Sequence, residues 1–219
     1  MRDARSNTAD DGPPILPAGD SALLVRLSAD EISPRVNGRV LALLAALDAA
    51  ALDAAALDGV RDYTPAYASL LISFDPSVTT REAVGDAIRA AWRASRGRGR
   101  RPVSRGVVHV PVRYGGAAGF DLDEVARLTG LSAAEVARRH ASAEYRVYFL
   151  GFLAGYPYLG GLAASLATPR LDSPRTRVPA GSVAIAERQT GVYPVDSPGG
   201  WRVIGRTALR IADPPRVPP

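Results

Sequence analysis

A short set of polar side chains in the second half of this 219-residue chain could do chemistry at neutral pH. Gln189 and Thr190, just before Gly191, offer one carboxamide and one hydroxyl at a predicted strand-connecting turn. Such groups can orient a substrate amide or hold a water, or they can hydrogen-bond the turn itself. His140, at the predicted end of a helix, could act as a general acid or base. A helix C-terminus favours protonated imidazole, and a capping or packing role for His140 is the alternative.

Arginines supply positive charge close to these groups in the sequence. Arg170, Arg175 and Arg177 lie in a segment that contains three prolines. Proline fixes φ, so less ordering entropy is lost when a guanidinium meets a ligand. The planar guanidinium fork suits a carboxylate or a phosphate. The alternative is a set of surface arginines in a solvated loop.

Residues 151–161 combine four glycines with aromatic side chains, including Tyr158. This pattern allows a ligand to approach the backbone closely beside a stacking wall. A packed turn at the end of a strand is the alternative. His109, inside an apolar run, is predicted to be structural.

The composition excludes several chemistries. The chain has no Cys, which removes disulfides, thiolate zinc sites, iron–sulfur clusters and a cysteine nucleophile. All 27 basic residues are Arg, so there is no lysine for a Schiff base, a biotinyl group or a Walker A motif. Two histidines are too few for a His-rich metal site, although a mixed site with carboxylates stays open, and we predict no metal.

The net charge of +5 is concentrated in residues 93–106, which carry six Arg and no acidic residue. Such a run is typical of a solvated linker. Nucleic-acid binding would require aromatic platforms, and Trp92 alone is close, so we predict no nucleic-acid partner. The sequence contains no membrane-length apolar run and no signal peptide, and we expect a cytoplasmic protein without membrane contact.

Hydrophobic periodicity predicts an α+β protein with a disordered tail over residues 1–13 and an N-terminal domain over 14–92. Leu23, Val25 and Leu27 alternate on one strand, and Ser33 caps a helix that starts at Pro34. Two further strands follow at 60–63 and 67–74, and Thr79 with Glu82 forms a capping box for a second helix. The order β-β-α-β-β-α suits a small antiparallel sheet with both helices on one face.

The second domain, residues 107–219, follows the linker 93–106. We predict a strand over 107–112, a short helix capped by Asp121 and ended by Gly130, and a second helix, capped by Ser132 and Glu135, that ends near His140. A strand over 144–151 comes next. Short apolar runs between Gly and Pro turns then predict a closed or sandwiched antiparallel sheet, at 182–186, 192–195, 201–204 and 208–211.

Three long motifs, at 145–162, 174–183 and 189–207, resemble those of one protein family. Shorter matches near Asp20, Asn37 and Tyr67 extend the resemblance to about residues 15–213. The chain is similar to the B subunit of the bacterial ATP-dependent 5-oxoprolinase. That family is also named Kip-type kinase inhibitor or allophanate hydrolase subunit 1.

The resemblance implies that the second domain is a cyclophilin-like antiparallel β-barrel. It also implies that the chain acts with partner subunits A and C to open 5-oxo-L-proline to L-glutamate, with ATP bound by this chain or by a partner. The chemistry is compatible with the composition, since ATP can activate a poorly electrophilic lactam by phosphorylating its amide oxygen. Such a mechanism would need arginine guanidinium groups to bind the carboxylate and the phosphate, but no Cys or Lys nucleophile.

Two other functions stay open at the level of the sequence. One is a regulatory protein that docks on a sensor histidine kinase. The other is a subunit of an allophanate or urea carboxylation pathway, in which another chain carries the biotin. For the leading hypothesis we assign His140 and Gln189 to catalysis, and assign to substrate binding Arg175, Arg177, Ser182, Thr190, Tyr193 and Tyr158.

Overall fold

The structure, a computed structural model, describes residues 12–29, 32–53, 58–95 and 106–212. The chain divides into two units between residues 104 and 105. The predicted tail, apart from residues 12 and 13, lies outside the described ranges, as do residues 96–105 of the predicted linker.

The first unit contains a four-stranded antiparallel sheet with strand order β1-β2-β4-β3. Leu23, Val25, Leu70, Ile72 and Phe74 alternate along the two central strands and are buried against the helices. This is the predicted order β-β-α-β-β-α, and the predicted alternation is confirmed. The elements are β1 (Ile15–Pro17), β2 (Ala22–Arg26), α1 (Pro34–Asp53), β3 (Val60–Pro65), β4 (Ser69–Phe74) and α2 (Arg81–Ser95).

Side-chain caps begin both helices of this unit. Ser33 Oγ accepts a hydrogen bond from the Val36 amide at 3.3 Å, as predicted. The predicted cap of α2 is wrong by one residue, because Thr80, not Thr79, accepts from the Ala83 amide at 3.2 Å. The Thr79 amide is bonded to the Asp75 carbonyl in the preceding turn. The predicted linker also starts too early, since α2 continues to Ser95.

The second unit contains a six-stranded antiparallel sheet with order β5-β12-β9-β10-β7-β6 and a separate β8-β11 ladder. Helices α3 and α4 pack together beside β12 and a short 3₁₀ helix. No strand pairing among the described residues joins β5 to β6, so the predicted closed barrel is not confirmed. The elements are β5 (Arg113–Tyr114), α3 (Leu122–Thr129), α4 (Ala133–Ala141), β6 (Arg146–Leu150), β7 (Pro157–Gly160), β8 (Arg175–Val178), β9 (Ser182–Ala186), β10 (Gln189–Val192), β11 (Ser197–Gly199) and β12 (Arg202–Arg206).

The strand predicted over residues 107–112 is wrong. Pairing with β12 begins only at Arg113, which lies opposite Arg206. Beyond Arg206 the paired segment turns away, because the Thr207 amide donates to the Gly181 carbonyl at 2.9 Å. Val112 therefore has no ladder partner, and the run predicted at 208–211 is not a strand either.

Local caps also determine the two helices of this unit. Gly130 ends α3 in the left-handed conformation at φ 68°, and Ser132 Oγ accepts from the Glu135 amide at the start of α4. The Glu135 carboxylate, however, binds Arg138 and Arg139. None of the helices in the described ranges has the length and apolar character needed to cross a membrane.

The predicted cap at Asp121 is wrong, because Asp121 precedes α3 but its side chain makes no capping hydrogen bond. One carboxylate oxygen accepts from Arg175 Nη2 at 2.6 Å, and the other accepts from the Val203 amide at 2.7 Å. The Asp121 side chain is 5% exposed. A buried carboxylate thus joins the start of α3 to β8 and β12, and burial is tolerated because both oxygens have donors.

Asp121→Ala is expected to destabilise the second unit by about 2–3 kcal/mol, because it leaves a half-buried guanidinium and a buried amide without an acceptor. Urea unfolding followed by Trp201 fluorescence in a Trp92→Phe background reports on this unit alone. Asp123→Ala, on the exposed side of the same helical turn, is the control and should cost less than about 1 kcal/mol. Equal unfolding free energies for the two variants would contradict the structural role of Asp121.

Candidate functional site

Strand β9 lies at the centre of the six-stranded sheet and separates two hydrophobic cores. All five of its residues are buried. Val183 and Ile185 pack with α3 and α4 in one core, whereas Ala184 and Ala186 pack in the other. Side chains alternate along a strand, so the cores lie on opposite faces of one sheet. We call the face covered by α3 and α4 the helix face.

The opposite face carries a cluster of four aromatic side chains. The Tyr156 ring centroid lies 5.1 Å from that of Tyr158, 5.2 Å from that of Tyr193 and 5.9 Å from that of Trp201. Phe149 stacks on Tyr158 at 4.4 Å. Tilted and edge-to-face contacts of this kind fix ring orientations. Tyr156, Tyr193 and Trp201 are buried, and Tyr158 is partly buried. We call this side of the sheet the aromatic face.

The glycines of the predicted ligand-approach segment, 151–161, have a different use. Gly155 and Gly161 have φ of 78° and 113°, which a residue with a side chain rarely adopts. Gly155 lies in a turn, as the alternative interpretation held. The close contacts of these two glycines are with Ala212 and Glu144, whereas Gly191 and Gly199 lie against the hydroxyl ends of Tyr156 and Tyr193.

Arg170 lies beside the aromatic face. Its guanidinium carbon is 5.9 Å from the Trp201 ring centroid, a cation–π distance. Within the described residues it has no carboxylate partner. Burial raises the pKa of Tyr158, and the Arg170 charge acts in the opposite direction. The guanidinium is therefore close to the hydroxyl groups of this face and available to an anion.

Arg175 reaches the same region from β8. Burial raises the pKa of Tyr193, and the nearby charges of Arg170 and Arg175 both oppose that shift. Arg175 lies over the Phe120 ring at 4.8 Å, and its Nη2 is bound to Asp121. Its Nη1 is buried and has no hydrogen-bond partner in the described part of the chain. The N–H groups of Arg175 Nη1 are thus unpaired among the described residues and enclosed by protein atoms.

Arg177 is not brought to the aromatic face by any contact in the described part of the structure. Its guanidinium binds the Asp196 carboxylate at 2.6 Å, and its side chain is 76% exposed. Asp196 also accepts from the Ala180 amide, and these bonds lower the pKa of Asp196. The predicted role of Arg177 in substrate binding therefore has no support in its geometry, which is that of a surface ion pair.

Gln189 and Ser182 both lie on the aromatic side of the sheet. Gln189 pairs with Ala186, which packs in the hydrophobic core on the aromatic face. Paired residues of an antiparallel ladder point to the same face of the sheet. Ser182 lies two residues before Ala184 on β9 and is buried. The structure thus brings together, on one face, the predicted residues Gln189, Ser182, Tyr158 and Tyr193.

His140 and Thr190 lie on the helix face instead. His140 is 5% exposed. Its Nδ1 is 2.7 Å from the Tyr114 hydroxyl, and its Nε2 is 2.9 Å from Thr190 Oγ1. The Thr190 hydroxyl donates to the Ala184 carbonyl at 3.0 Å. The Tyr145 hydroxyl donates to the His140 carbonyl at 2.9 Å.

These contacts and the burial of the ring together favour one neutral tautomer of His140. A carbonyl can only accept, so the single Thr190 proton points at Ala184 and the Thr190 oxygen accepts from His140 Nε2–H. Because burial disfavours the charged imidazole, Nδ1 carries the lone pair and accepts from the Tyr114 hydroxyl. Both ring nitrogens are used, and the imidazole is neutral.

The expectation that the helix end favours a protonated His140 is wrong. Burial lowers the pKa of His140 to about 4, and burial raises the pKa of Tyr114 to about 12. Desolvation disfavours the charged form, and here it outweighs the attraction of the helix terminus. His140 and Gln189, assigned together to catalysis, lie on opposite faces of the sheet. The surroundings of His140 favour the packing alternative.

Arg170, Tyr156, Trp201 and Asp121 belong to the site or support it, and the sequence-based assignment omitted them. Tyr156 and Trp201 stand inside the motifs that carried the resemblance, and Arg170 belongs to the proline-containing arginine segment, so their segments were recognisable. Arg177 is unavailable as an anion-binding residue because it is paired with Asp196, which lies 19 residues later in the sequence. No local pattern predicts that contact.

The structure predicts that His140 stays neutral between pH 7 and pH 5. A histidine whose folded pKa lies below its unfolded value of about 6.5 stabilises the fold fully above that pH and loses the contribution as the pH falls towards 4. Long-range ¹H–¹⁵N spectra should show a protonated Nε2 and a lone pair on Nδ1 throughout. The His109→Asn variant assigns the signal, and a His140 midpoint at or above pH 6.5 would contradict the buried neutral state.

Residues 13–219 match the carboxyltransferase domain, subdomain C and D. The 5-oxoprolinase B subunit of Bacillus subtilis (strain 168) is 40% identical over 209 residues, which are 92% of this chain and 85% of that protein. The 5-oxoprolinase B subunit of Escherichia coli O157:H7 is 54% identical over 118 residues, 54% of each chain.

The crystal structure of TTHA0988 is 38% identical and superposes with a TM-score of 0.69 over 91% of this chain. This chain spans 37% of the length of that one. The likeness supports a mixed helix and sheet fold of the carboxyltransferase type. Given the match across residues 13–219 and the identity across nearly the whole chain, this protein belongs to the family of 5-oxoprolinase B subunits.

Proposed function

We propose that this chain is the B subunit of an ATP-dependent 5-oxoprolinase, which opens 5-oxo-L-proline to L-glutamate together with subunits A and C in the cytoplasm. Three relatives that carry the name of this B subunit support the proposal. The observation that carries it to particular residues is the position of Arg170 over the Trp201 ring, beside the tyrosines of the aromatic face.

The aromatic face suits the substrate in shape and charge. 5-Oxo-L-proline is a flat five-membered lactam with one carboxylate. The Arg170 guanidinium is a donor for that carboxylate, and Arg175, whose Nη1 is buried and unpaired, adds positive charge nearby. The rings of Tyr158 and Trp201, 6.0 Å apart and nearly perpendicular, offer an apolar wall for the lactam ring.

Gln189 is the group that we assign to the lactam amide. Its carboxamide can donate to the lactam oxygen and accept from the lactam N–H, and it stays uncharged at every pH of interest. As the first residue of β10 it lies on the same side as the aromatic face. Ser182 and Tyr193, opposite each other near the other end of the β9–β10 pair, line the same side.

ATP would activate the lactam by transferring its γ-phosphoryl group to the amide oxygen with release of ADP, and phosphate would leave when water opens the ring. The guanidinium donors of this face are enough for one carboxylate or one phosphate. We therefore propose that ATP is held with or by a partner subunit, and that this chain contributes substrate orientation. Binding and orientation of a reactant account for a large part of many rate enhancements.

We further propose that β5–β12 wrap into a cyclophilin-like barrel whose interior side is the aromatic face. The separate β8–β11 ladder supports this, because Val178 of β8 packs in the aromatic core with the central strand β9. The kinase-inhibitor and urea-carboxylation alternatives are not favoured, since the three relatives are all named as the B subunit of 5-oxoprolinase.

Arg170→Ala is expected to lower kcat/KM for 5-oxo-L-proline by roughly 30- to 150-fold, the loss of about 2–3 kcal/mol for a charged hydrogen bond. The assay is 5-oxoproline-dependent glutamate release by the chain assembled with subunits A and C. Arg127, an exposed arginine on α3, gives the control variant Arg127→Ala, whose kcat/KM should stay within about threefold of the wild type. A lower kcat/KM in Arg177→Ala together with full activity in Arg170→Ala would assign carboxylate binding to Arg177 instead.

The purified chain without its partners is expected to release no glutamate from 5-oxo-L-proline and ATP, because activation of the lactam is assigned to a partner. Adding subunits A and C to the same preparation should start turnover. Turnover by the single chain, at a rate that the partners do not change, would contradict the proposed division of labour.

A further inference from the structure

The buried polar chain on the helix face has no role in the function proposed above. It runs from the Tyr114 hydroxyl through the His140 imidazole and the Thr190 hydroxyl to the Ala184 carbonyl. Its elements are far apart in sequence, since Tyr114 is in β5, His140 in α4 and Thr190 in β10. Each donor has one acceptor, so the chain has a single hydrogen-bonding arrangement.

We propose that this chain of Tyr114, His140 and Thr190 positions Gln189 for the reaction from the opposite face of the sheet. The proposal rests on the function proposed above, in which Gln189 contacts the lactam amide. These three are positioning residues, because they lie on the helix face and contact Gln189 only through the backbone of β10.

The register of the sheet gives the physical link. Thr190 pairs with Ile185 on β9 and with Leu159 on β7, and its neighbours Gln189 and Gly191 point to the aromatic side. The Thr190 side chain is also bonded to the backbone of β9 at Ala184. The hairpin is thus clamped at the residue next to Gln189, and rotation of Thr190 would turn Gln189 as well.

The turn before Gln189 is strained at one residue. Glu187, between β9 and β10, has φ 51°, a left-handed conformation that a residue with a side chain adopts at a cost. The ladder of β10 is short, from Gln189 to Val192. The hydrogen-bonded side chains of Tyr114, His140 and Thr190 hold the start of β10, next to this turn, against α4.

The groups that would give affinity are fixed by other contacts. Arg170 lies against Trp201, and Trp201 against Tyr156 and Tyr158. Loss of the buried chain should therefore act on kcat and leave KM nearly unchanged. A structural role alone would lower stability without altering kcat of the folded enzyme.

The test is a double-mutant cycle between Thr190→Val and Gln189→Ala in the chain assembled with subunits A and C. Thr190→Val keeps the shape but removes both hydroxyl bonds, and we expect kcat to fall roughly 10- to 100-fold with KM within about threefold. Thr190→Ser restores the hydroxyl and should recover most of kcat. The double variant should be no slower than Gln189→Ala, because the two act through one group.

Independent, multiplicative effects of Thr190→Val and Gln189→Ala on kcat would overturn the proposal, as would an unchanged kcat in Thr190→Val. Urea unfolding of each variant separates loss of fold from loss of position. If the wild-type assembly shows no turnover of 5-oxo-L-proline, the proposed function fails. The positioning claim is then tested separately, by the side-chain amide signals of Gln189 in ¹⁵N spectra of the isolated chain. A shift of those signals in Thr190→Val but not in Thr190→Ser supports it, and no shift in either overturns it.

Discussion

The two-residue period of the central strands is the constraint on which the second unit depends. Successive side chains of β9 point alternately to the helix face and to the aromatic face. All five residues are buried, so both faces of this strand are covered. The same period divides β10, where Thr190 meets His140 and the next residue, Gly191, lies under Tyr156. The helix-face network and the proposed ligand-binding side are thus built from adjacent residues of the same strands.

The disposition of charge follows from what each arginine meets. Arg175 is held by the buried Asp121 and Arg177 by the exposed Asp196, whereas Arg170 lies on an aromatic ring. An arginine bound to a carboxylate has much of its donor capacity used, and a cation–π contact leaves the N–H groups in the guanidinium plane free. This difference makes Arg170 the side chain best prepared for an anion.

Much of the architecture could be predicted from sequence because its signals are local. The alternation of Leu70, Ile72 and Phe74, the Ser33 and Ser132 caps and the Gly130 stop each depend on a few neighbouring residues. The strand expected at 107–112 failed because pairing depends on a segment roughly 95 residues later, which turns away at Thr207. The Thr79 cap failed by one residue because two adjacent threonines offer the same hydroxyl.

The site could be predicted only in part. Gln189, Tyr158 and Tyr193 were found because Gly-flanked polar and aromatic residues mark their segments. His140 was assigned to catalysis because a helix end favours a cation, but its environment depends on Tyr114 and Thr190, which are 26 and 50 residues away. Contacts at such separation have no signature in a single sequence, and burial then decides the pKa.

The most direct measurement is the position of 5-oxo-L-proline in a crystal structure of the assembled enzyme. We predict its carboxylate within hydrogen-bonding distance of Arg170 and its ring against Tyr158 and Trp201. Substrate density beside Arg177 and Asp196, or between α4 and the sheet at His140, would contradict the account.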